Sequence, residues 1–119
     1  MVDFKPIKIR VDKGVESQEQ QITLNGITFF LRFSYSTAYT RDNWVIDILD
    51  SDRNNLLVGK RITATTNLTY NSIDLTELLD GYLFCVNTKN SRSPITKDNF
   101  GSQEVFRVWY ISRENFTDE

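Results

Sequence analysis

Hydrophobic and polar residues alternate with a period of two along much of the chain, and the clearest case is the segment 27–35. Large apolar or aromatic residues occupy its odd positions, beginning with Ile27, Phe29 and Leu31, whereas most of its even positions are polar. Such alternation is typical of a half-buried strand, in which successive side chains point to opposite faces of a sheet. The segment is therefore predicted to be a β-strand with its odd-numbered residues in the core.

A tight turn precedes this strand. Asn25-Gly26 is the dipeptide that best tolerates the positive φ angles of a two-residue type I′ hairpin turn. Such a turn places Ile22 opposite Phe29, so that both strands send apolar groups to the same side. Thr23 then lies opposite Thr28 on the other side, which is a favourable cross-strand pair. The turn and the alternation predict the same hairpin and the same register.

The remaining pattern predicts a mainly β fold. Asp74 is a candidate helix cap and Gly81 a candidate left-handed closing residue for a single short helix. We expect a small antiparallel β-barrel or sandwich of six to seven strands with that one helix, in a single domain 1–119 with its core at 4–112 and a charged tail at 113–119. The other predicted segments are strands at 44–50, 56–62 (interrupted at Gly59), 82–86 and 103–111, a turn at 50–55, a strand or loop at 63–73 and a surface loop at 87–98.

The composition is typical of a packed domain, and it argues against two kinds of partner, nucleic-acid phosphates and membranes. Leu, Ile, Val and Phe exceed the ~20% of a chain below which disorder is expected. The 14 basic and 16 acidic residues leave a net charge of −2, which is too balanced for a phosphate-binding arm. No apolar run approaches the ~20 residues that a membrane-spanning helix needs. We expect a soluble protein without a membrane partner.

The amino-acid composition excludes several classes of catalytic and metal-binding site. The chain has no histidine, which excludes imidazole-based nucleophile systems, metal sites and proton shuttles. Its one cysteine, Cys85, excludes an intrachain disulfide and a thiolate zinc cluster. Because Cys85 has apolar neighbours and no adjacent base, it is interpreted as an inert buried thiol. We expect no enzyme, and no catalytic residue, metal ligand or cofactor is assigned.

Acidic side chains match two kinds of site only in part. Asp50-x-Asp52-x-Asn54 opens like a calcium loop, but Asn55 and Arg61 stand where such a loop needs glycine and a bidentate glutamate. It is interpreted as a hairpin turn. A carboxylate pair for glycoside hydrolysis has no two members that the sequence places at a working distance. The residues considered for that pair are Asp42, Asp47, Asp74, Glu77 and Asp80.

A basic cluster near the aromatic sheet leaves one alternative function open. Lys5, Lys8, Arg10 and Lys13 lie close together in sequence. Small barrels stack bases on exposed aromatic rings beside such cations, so the alternative is an OB-like module that binds single-stranded nucleic acid. Since acidic residues outnumber basic ones, we do not expect a nucleic-acid partner.

The second face of the predicted sheet is more informative. Phe30, Val45, Leu49 and Trp109 fall on the alternate phase of their strands, where a monomer usually places polar residues. Either a closed sandwich covers these four side chains internally, or they form a surface for another subunit. They are the candidate assembly face.

The order of landmarks along residues 4–112 resembles the small baseplate plug proteins of contractile-tailed phages, the cyanophage plug family. Each landmark is common, but their order and spacing are more specific. The landmarks are Leu24-Asn25-Gly26, the strand 27–35, Trp44-x-Ile46-Asp47-Ile48-x-Asp50, Leu57-Val58-Gly59-x-x-Ile62, Asn67-Leu68, Asp80-Gly81-Tyr82-Leu83-Phe84, Thr96-x-Asp98-Asn99-Phe100-Gly101-Ser102 and Phe106-x-Val108-x-Tyr110.

The resemblance implies a virion structural protein of the tail baseplate, made in the cytoplasm of the host bacterium. Such a subunit would seal or join the central tail channel beside the hub and spike proteins, without cofactor or catalysis. A homo-oligomer with threefold or sixfold symmetry about the tail axis is expected with it.

Overall fold

Two antiparallel sheets of four strands each contribute to one apolar core. The computed structural model describes residues 6–24, 26–36, 43–63, 66–69 and 73–112. Lys5, Asn25, Asp42 and the predicted tail 113–119 lie outside these residues. The elements are β1 (Ile7–Lys8), β2 (Ser17–Leu24), β3 (Ile27–Ser36), β4 (Asn43–Asp50), β5 (Asn55–Arg61), β6 (Thr66–Asn67), α1 (Ile73–Leu79), β7 (Gly81–Asn87) and β8 (Phe106–Ser112).

The predicted mainly β fold with one short helix is confirmed. The order β2-β3-β4-β5 forms one sheet, called here the meander sheet, and β1-β8-β7-β6 forms the other, called the terminal sheet. In the described residues the two sheets do not close into a barrel, so the architecture is that of a sandwich. No helix in this part of the chain is long and apolar enough to cross a membrane.

The predicted β2–β3 hairpin has the expected register. Ile22 pairs with Phe29 and Thr23 with Thr28, and the two threonine hydroxyl oxygens are 3.2 Å apart. Gly26 has a φ of 80°, the left-handed conformation that the predicted turn requires of it. The central odd-numbered residues of β3, Phe29, Leu31 and Phe33, are fully buried, whereas Ile27 at the start of the strand is 38% exposed.

The turn between β4 and β5 is held by the side chain of Asp50. Its Oδ1 accepts hydrogen bonds from the backbone N–H groups of Asp52 (2.9 Å) and Asn54 (2.8 Å). Arg53, between them, has a φ of 66°. The segment is therefore the hairpin turn that the sequence predicted, and the hydrogen bonds of the turn occupy the carboxylate that opens the calcium-like motif.

A bulge interrupts β5 at the predicted glycine. The register with β4 shifts between Ile46 and Ile48, and Gly59 has a φ of 70°. The N–H of Gly59 donates to Oδ1 of Asp47 at 2.7 Å. This bond explains why a carboxylate stands in the middle of β4 between apolar neighbours, because it satisfies a backbone donor that the bulge removes from the ladder.

The end of the helix differs from the prediction. Asp74 lies inside α1, which begins at Ile73, so it is not the residue before the helix. The left-handed residue after the helix is Asp80, with a φ of 51°, whereas Gly81 is already the first residue of β7. Gly81 is needed for space, because a Cβ there would lie 2.5 Å from the carbonyl oxygen of Ile111.

The last strand begins later than predicted. β8 starts at Phe106, since residues 101–105 form a turn in which the N–H of Glu104 donates to the carbonyl oxygen of Gly101 at 3.1 Å. The turn follows Phe100, a fully buried ring that lies 4.9 Å from the Trp44 ring, centroid to centroid. The loop residue Phe100 thus packs against the meander sheet while its neighbours join β8.

Candidate assembly surfaces

The structure divides the four candidate assembly residues between two faces. Phe30, Val45 and Leu49 lie on the outer face of the meander sheet, where Phe30 and Leu49 are direct cross-strand partners. Trp109 lies on the outer face of the terminal sheet. Because the buried faces of the two sheets share one core, their outer faces point away from each other. The residues therefore form two separate patches.

The patch on the meander sheet is partly covered by the chain itself. The guanidinium carbon of Arg53 lies 4.2 Å from the centroid of the Phe30 ring. This is a cation–π contact, which is favourable because the face of an aromatic ring is electronegative. Leu49 beside it is only 2% exposed. Val45, near the start of β4, is half-exposed.

A charged network fixes Arg53 over that ring. Both carboxylate oxygens of Glu19 accept from Arg53, each at 2.9 Å, and Oε1 also accepts from Nε of Arg32 at 3.1 Å. The hydrogen bonds from Arg53 and then Arg32 lower the pKa of Glu19 to about 2, and the bond to Glu19 raises the pKa of Arg53. Glu19 and Arg53 therefore form an ion pair at neutral pH. The sequence pattern did not predict this network.

The patch on the terminal sheet is larger and more aromatic. Trp109 pairs directly with Phe84 of β7, and Tyr82 and Val86 share the outer face of that strand. The rings of Tyr82 and Phe84 are 6.3 Å apart and tilted. These four side chains are all half-buried rather than buried. We call them the aromatic patch.

Sequence reasoning missed three of these four residues. Both faces of β7 carry large apolar side chains, so alternation by itself did not show which face is outside. The structure buries Leu83 and Cys85 completely, which leaves Tyr82, Phe84 and Val86 on the outer face. The pairing of β7 with β8 identifies the outer face of β7. Trp109 points outward, and its cross-strand partner Phe84 lies on the same face of the sheet.

The indole nitrogen of Trp109 is a further feature of the aromatic patch. Its Nε1 atom is shielded from solvent, and within the described residues no acceptor receives its hydrogen bond. A shielded donor without an acceptor costs ~1–3 kcal/mol.

One basic side chain of the predicted cluster borders the aromatic patch, and two others are paired with carboxylates. Lys8 is the cross-strand neighbour of Trp109. Arg10 binds Asp12 at 3.1 Å, and Lys13 lies 3.6 Å from Glu104. Since carboxylates of the same chain engage Arg10 and Lys13, these two cations are less available for the phosphate contacts that the nucleic-acid alternative requires.

The structure shows the surroundings of the acidic residues and the cysteine that the sequence offered as candidate reactive groups. Asp47 accepts the Gly59 hydrogen bond described above. Glu77 and Asp80 are exposed at and after the end of α1, and nothing is described for the side chain of Asp74. Burial raises the pKa of the Cys85 thiol to about 12, so its thiolate is disfavoured. In the described ranges no three potential metal ligands of the His, Cys, Asp and Glu types cluster.

Comparison with known proteins gives one result that covers almost the entire chain. A family model described as cyanophage baseplate Pam3 plug gp18 matches residues 7–113. No curated protein matches the chain. The matched range contains every described strand and the helix, so the similarity applies to the whole sandwich and both of its outer patches.

Proposed function

Because the chain belongs to the cyanophage baseplate plug family, we propose that it is a structural subunit that seals or joins the central channel of a contractile phage tail. It acts through protein–protein contacts, without catalysis or cofactor. Its partners are the hub and spike proteins of the tail and other copies of itself, arranged with threefold or sixfold symmetry about the tail axis. It is made in the cytoplasm of the host bacterium and becomes part of the virion.

The observation that carries this proposal is the pair of apolar patches on opposite faces of the sandwich. A subunit that joins two parts of an assembly needs two contact surfaces, and a ring subunit needs two different ones. The aromatic patch is the main contact, since large aromatic side chains dominate the energetics of interfaces. The second contact is the meander patch, at which Val45 and the Phe30 ring with Arg53 over it are half-exposed, whereas Leu49 is buried beneath them.

The geometry of the aromatic patch favours a protein partner. Trp109 contributes a large, half-buried ring beside Phe84, and such rings dominate the energetics of protein interfaces. Lys8, next to Trp109 across the β1–β8 pair, favours a partner with acidic groups around an apolar centre.

The test is co-elution of the purified chain with the hub and spike proteins of its own genome, by size-exclusion chromatography with light scattering. Trp109→Thr keeps a β-forming residue but removes the ring, and we expect at least a tenfold loss of affinity. Val58→Thr is the matched control, because Val58 is a 61% exposed apolar residue outside both patches. It is expected to leave binding unchanged.

Two results would contradict the proposal. One is a folded protein that stays strictly monomeric and binds none of the tail proteins of its genome. The other is equal binding by Trp109→Thr and Val58→Thr, which would remove the aromatic patch from the interface. Circular dichroism of both variants shows whether the sandwich is intact.

A further inference from the structure

The edges of the two sheets differ in how well they are protected. β1 and β6, the edges of the terminal sheet, have two residues each. β5, one edge of the meander sheet, carries the Gly59 bulge and ends in Lys60 and Arg61. β2, the other edge, pairs with β3 over eight consecutive residues without a register shift. It is the one long, regular edge in the described residues.

β2 also lacks the side chains that usually prevent pairing at an edge. Its sequence, SQEQQITL, contains no lysine, arginine or proline. Its single charge, Glu19, is bound by Arg32 and Arg53 of the same chain. The described residues of β2 itself therefore present neither an unpaired charge nor a proline to a neighbouring strand.

The hydrogen-bond pattern shows which backbone groups point away from β3. The N–H of Tyr35 donates to the carbonyl oxygen of Glu16, so the even-numbered residues of β2 bond to β3. The backbone groups of the odd-numbered residues point toward the open edge. These residues are Ser17, Glu19, Gln21 and Thr23, and their side chains are exposed on the outer face.

We propose that this edge pairs with β2 of a second copy, antiparallel, about a two-fold axis through Gln20. In this register Ser17 faces Thr23 and Glu19 faces Gln21, so each outward side chain meets a hydrogen-bonding counterpart. Moving the axis to Glu19 would place two glutamates opposite each other, which is unfavourable. Moving it to Gln21 would leave Ser17 without a counterpart inside the strand.

The pair joins two meander sheets into one continuous sheet of eight strands. The two-fold axis of this dimer is distinct from the axis of the tail. The dimer is therefore the form of the free protein before it enters the baseplate, when the β2 edge must be shielded from other strands. This inference rests on the proposed function, because it identifies the β2 edge as a surface through which the subunit binds another copy of itself.

Disulfide trapping tests the register directly. The two-fold axis brings Gln20 opposite its own counterpart in a non-hydrogen-bonded pair, with Cα atoms about 4.5 Å apart, which is within disulfide range. We expect Gln20→Cys to form covalent dimers on mild oxidation. The natural Cys85 is fully buried and does not compete.

Thr23→Cys is the matched control on the same strand. In the proposed register the two Thr23 positions lie six residues apart along the strands, about 20 Å, so this variant stays monomeric on a non-reducing gel. Equal cross-linking of the two variants, or none with Gln20→Cys, would overturn the pairing.

A second experiment does not depend on cysteine chemistry. Gln21→Pro removes an edge N–H but leaves the β2–β3 bonds in place, because the N–H of Gln21 points away from β3. In sedimentation velocity we expect this variant to dimerise at least tenfold more weakly than Gln21→Ala, which keeps the N–H. Similar dimerisation of two folded variants would contradict the inference.

The two proposals fail independently. Hub or spike binding through Trp109 without trapping of Gln20→Cys would leave the tail role standing and remove the β2 pair. Trapping of Gln20→Cys in a protein that binds no tail protein would support the pair as a property of the chain and remove the tail role.

Discussion

At the scale of single residues, Trp44 and Phe100 connect the parts of the fold. Trp44 is 1% exposed, and its Nε1 donates to the carbonyl oxygen of Thr96 at 2.9 Å. Phe100 packs against the Trp44 ring and lies 6.1 Å from the Phe33 ring. The loop that holds Thr96 and Phe100 is therefore fixed to the meander sheet by one indole.

Trp44→Ala tests this arrangement. Loss of a fully buried large aromatic side chain is expected to lower the free energy of unfolding by about 3–5 kcal/mol. Chemical denaturation of the variant and the wild type measures the difference. Trp44→Phe, which keeps a ring but loses the bond to Thr96, should cost less. Almost no change in Trp44→Ala would show that the inner face of β4 is assigned incorrectly.

At the scale of elements, Asp80 has the closing role that the sequence predicted for Gly81, and Gly81 has a different role. Asp80 takes the left-handed conformation that ends α1, and Gly81 lets β7 pass close to β8. The hydroxyl of Tyr110 donates to the carbonyl oxygens of Leu79 (2.5 Å) and Asp80 (3.0 Å). A tyrosine of β8 thus satisfies acceptors at the end of a helix distant in sequence.

The two residues are distinguished by substitution. Gly81→Ala is expected to lower the free energy of unfolding by about 1–3 kcal/mol, because the new methyl group would meet the Ile111 carbonyl oxygen. Asp80→Gly is expected to change it by less than about 1 kcal/mol, because glycine adopts the same conformation without strain. Thermal unfolding compares the variants. The opposite order would restore Gly81 as the closing residue.

The network on the meander sheet predicts a pH dependence of stability. The pKa of Glu19 falls from about 4.5 to about 2 on folding, so its stabilisation is fully present above pH 4.5. It is lost as the pH falls from 4.5 toward 2, because the unfolded chain takes up the proton first. Urea unfolding at several pH values measures this loss.

Glu19→Gln is the variant for that experiment. It should be less stable than the wild type at pH 7, and the difference should shrink as the pH approaches 2. Glu77→Gln, at an exposed carboxylate of α1, is the control and should leave the pH profile unchanged. A constant difference between Glu19→Gln and the wild type across this range would rule out the shifted carboxylate.

At the scale of the whole molecule, one core serves two sheets whose outer faces have different characters. The meander sheet covers Phe30 with its own arginine, whereas the terminal sheet leaves the aromatic patch half-exposed. An exposed aromatic patch is typical of a surface that binds another protein. This difference between the two faces supports the proposal that they bind different partners.

The integrity of the shared core can be followed at Cys85. This thiol is fully buried and its pKa is raised to about 12, so it reacts with a thiol reagent only when the sandwich opens. We expect labelling by a chromogenic disulfide to be at least ~10³-fold slower in native buffer than in denaturant. Trp44→Ala should accelerate it. Rapid labelling of the folded wild type would contradict a single closed core.

Local patterns determined the parts of this protein that depend on neighbours in sequence. Alternation and Asn25-Gly26 predicted the β2–β3 register, and the family-like order of landmarks predicted the family, because these features are written in short stretches of chain. The Gly59 interruption and the Asp50 turn were predicted for the same reason. The absence of histidine excluded imidazole-based sites from the sequence alone.

Only the tertiary structure decided what depends on the other sheet. In the structure, Trp109 and Phe30 lie on opposite faces of the sandwich, and Tyr82 and Phe84 lie on an outer face. Asp80 has the left-handed conformation that ends α1. Alternation shows that a strand has two faces, but the packing of distant strands determines which face is buried. That packing depends on contacts between residues far apart in sequence, such as Trp44 with Phe100, which no local pattern contains.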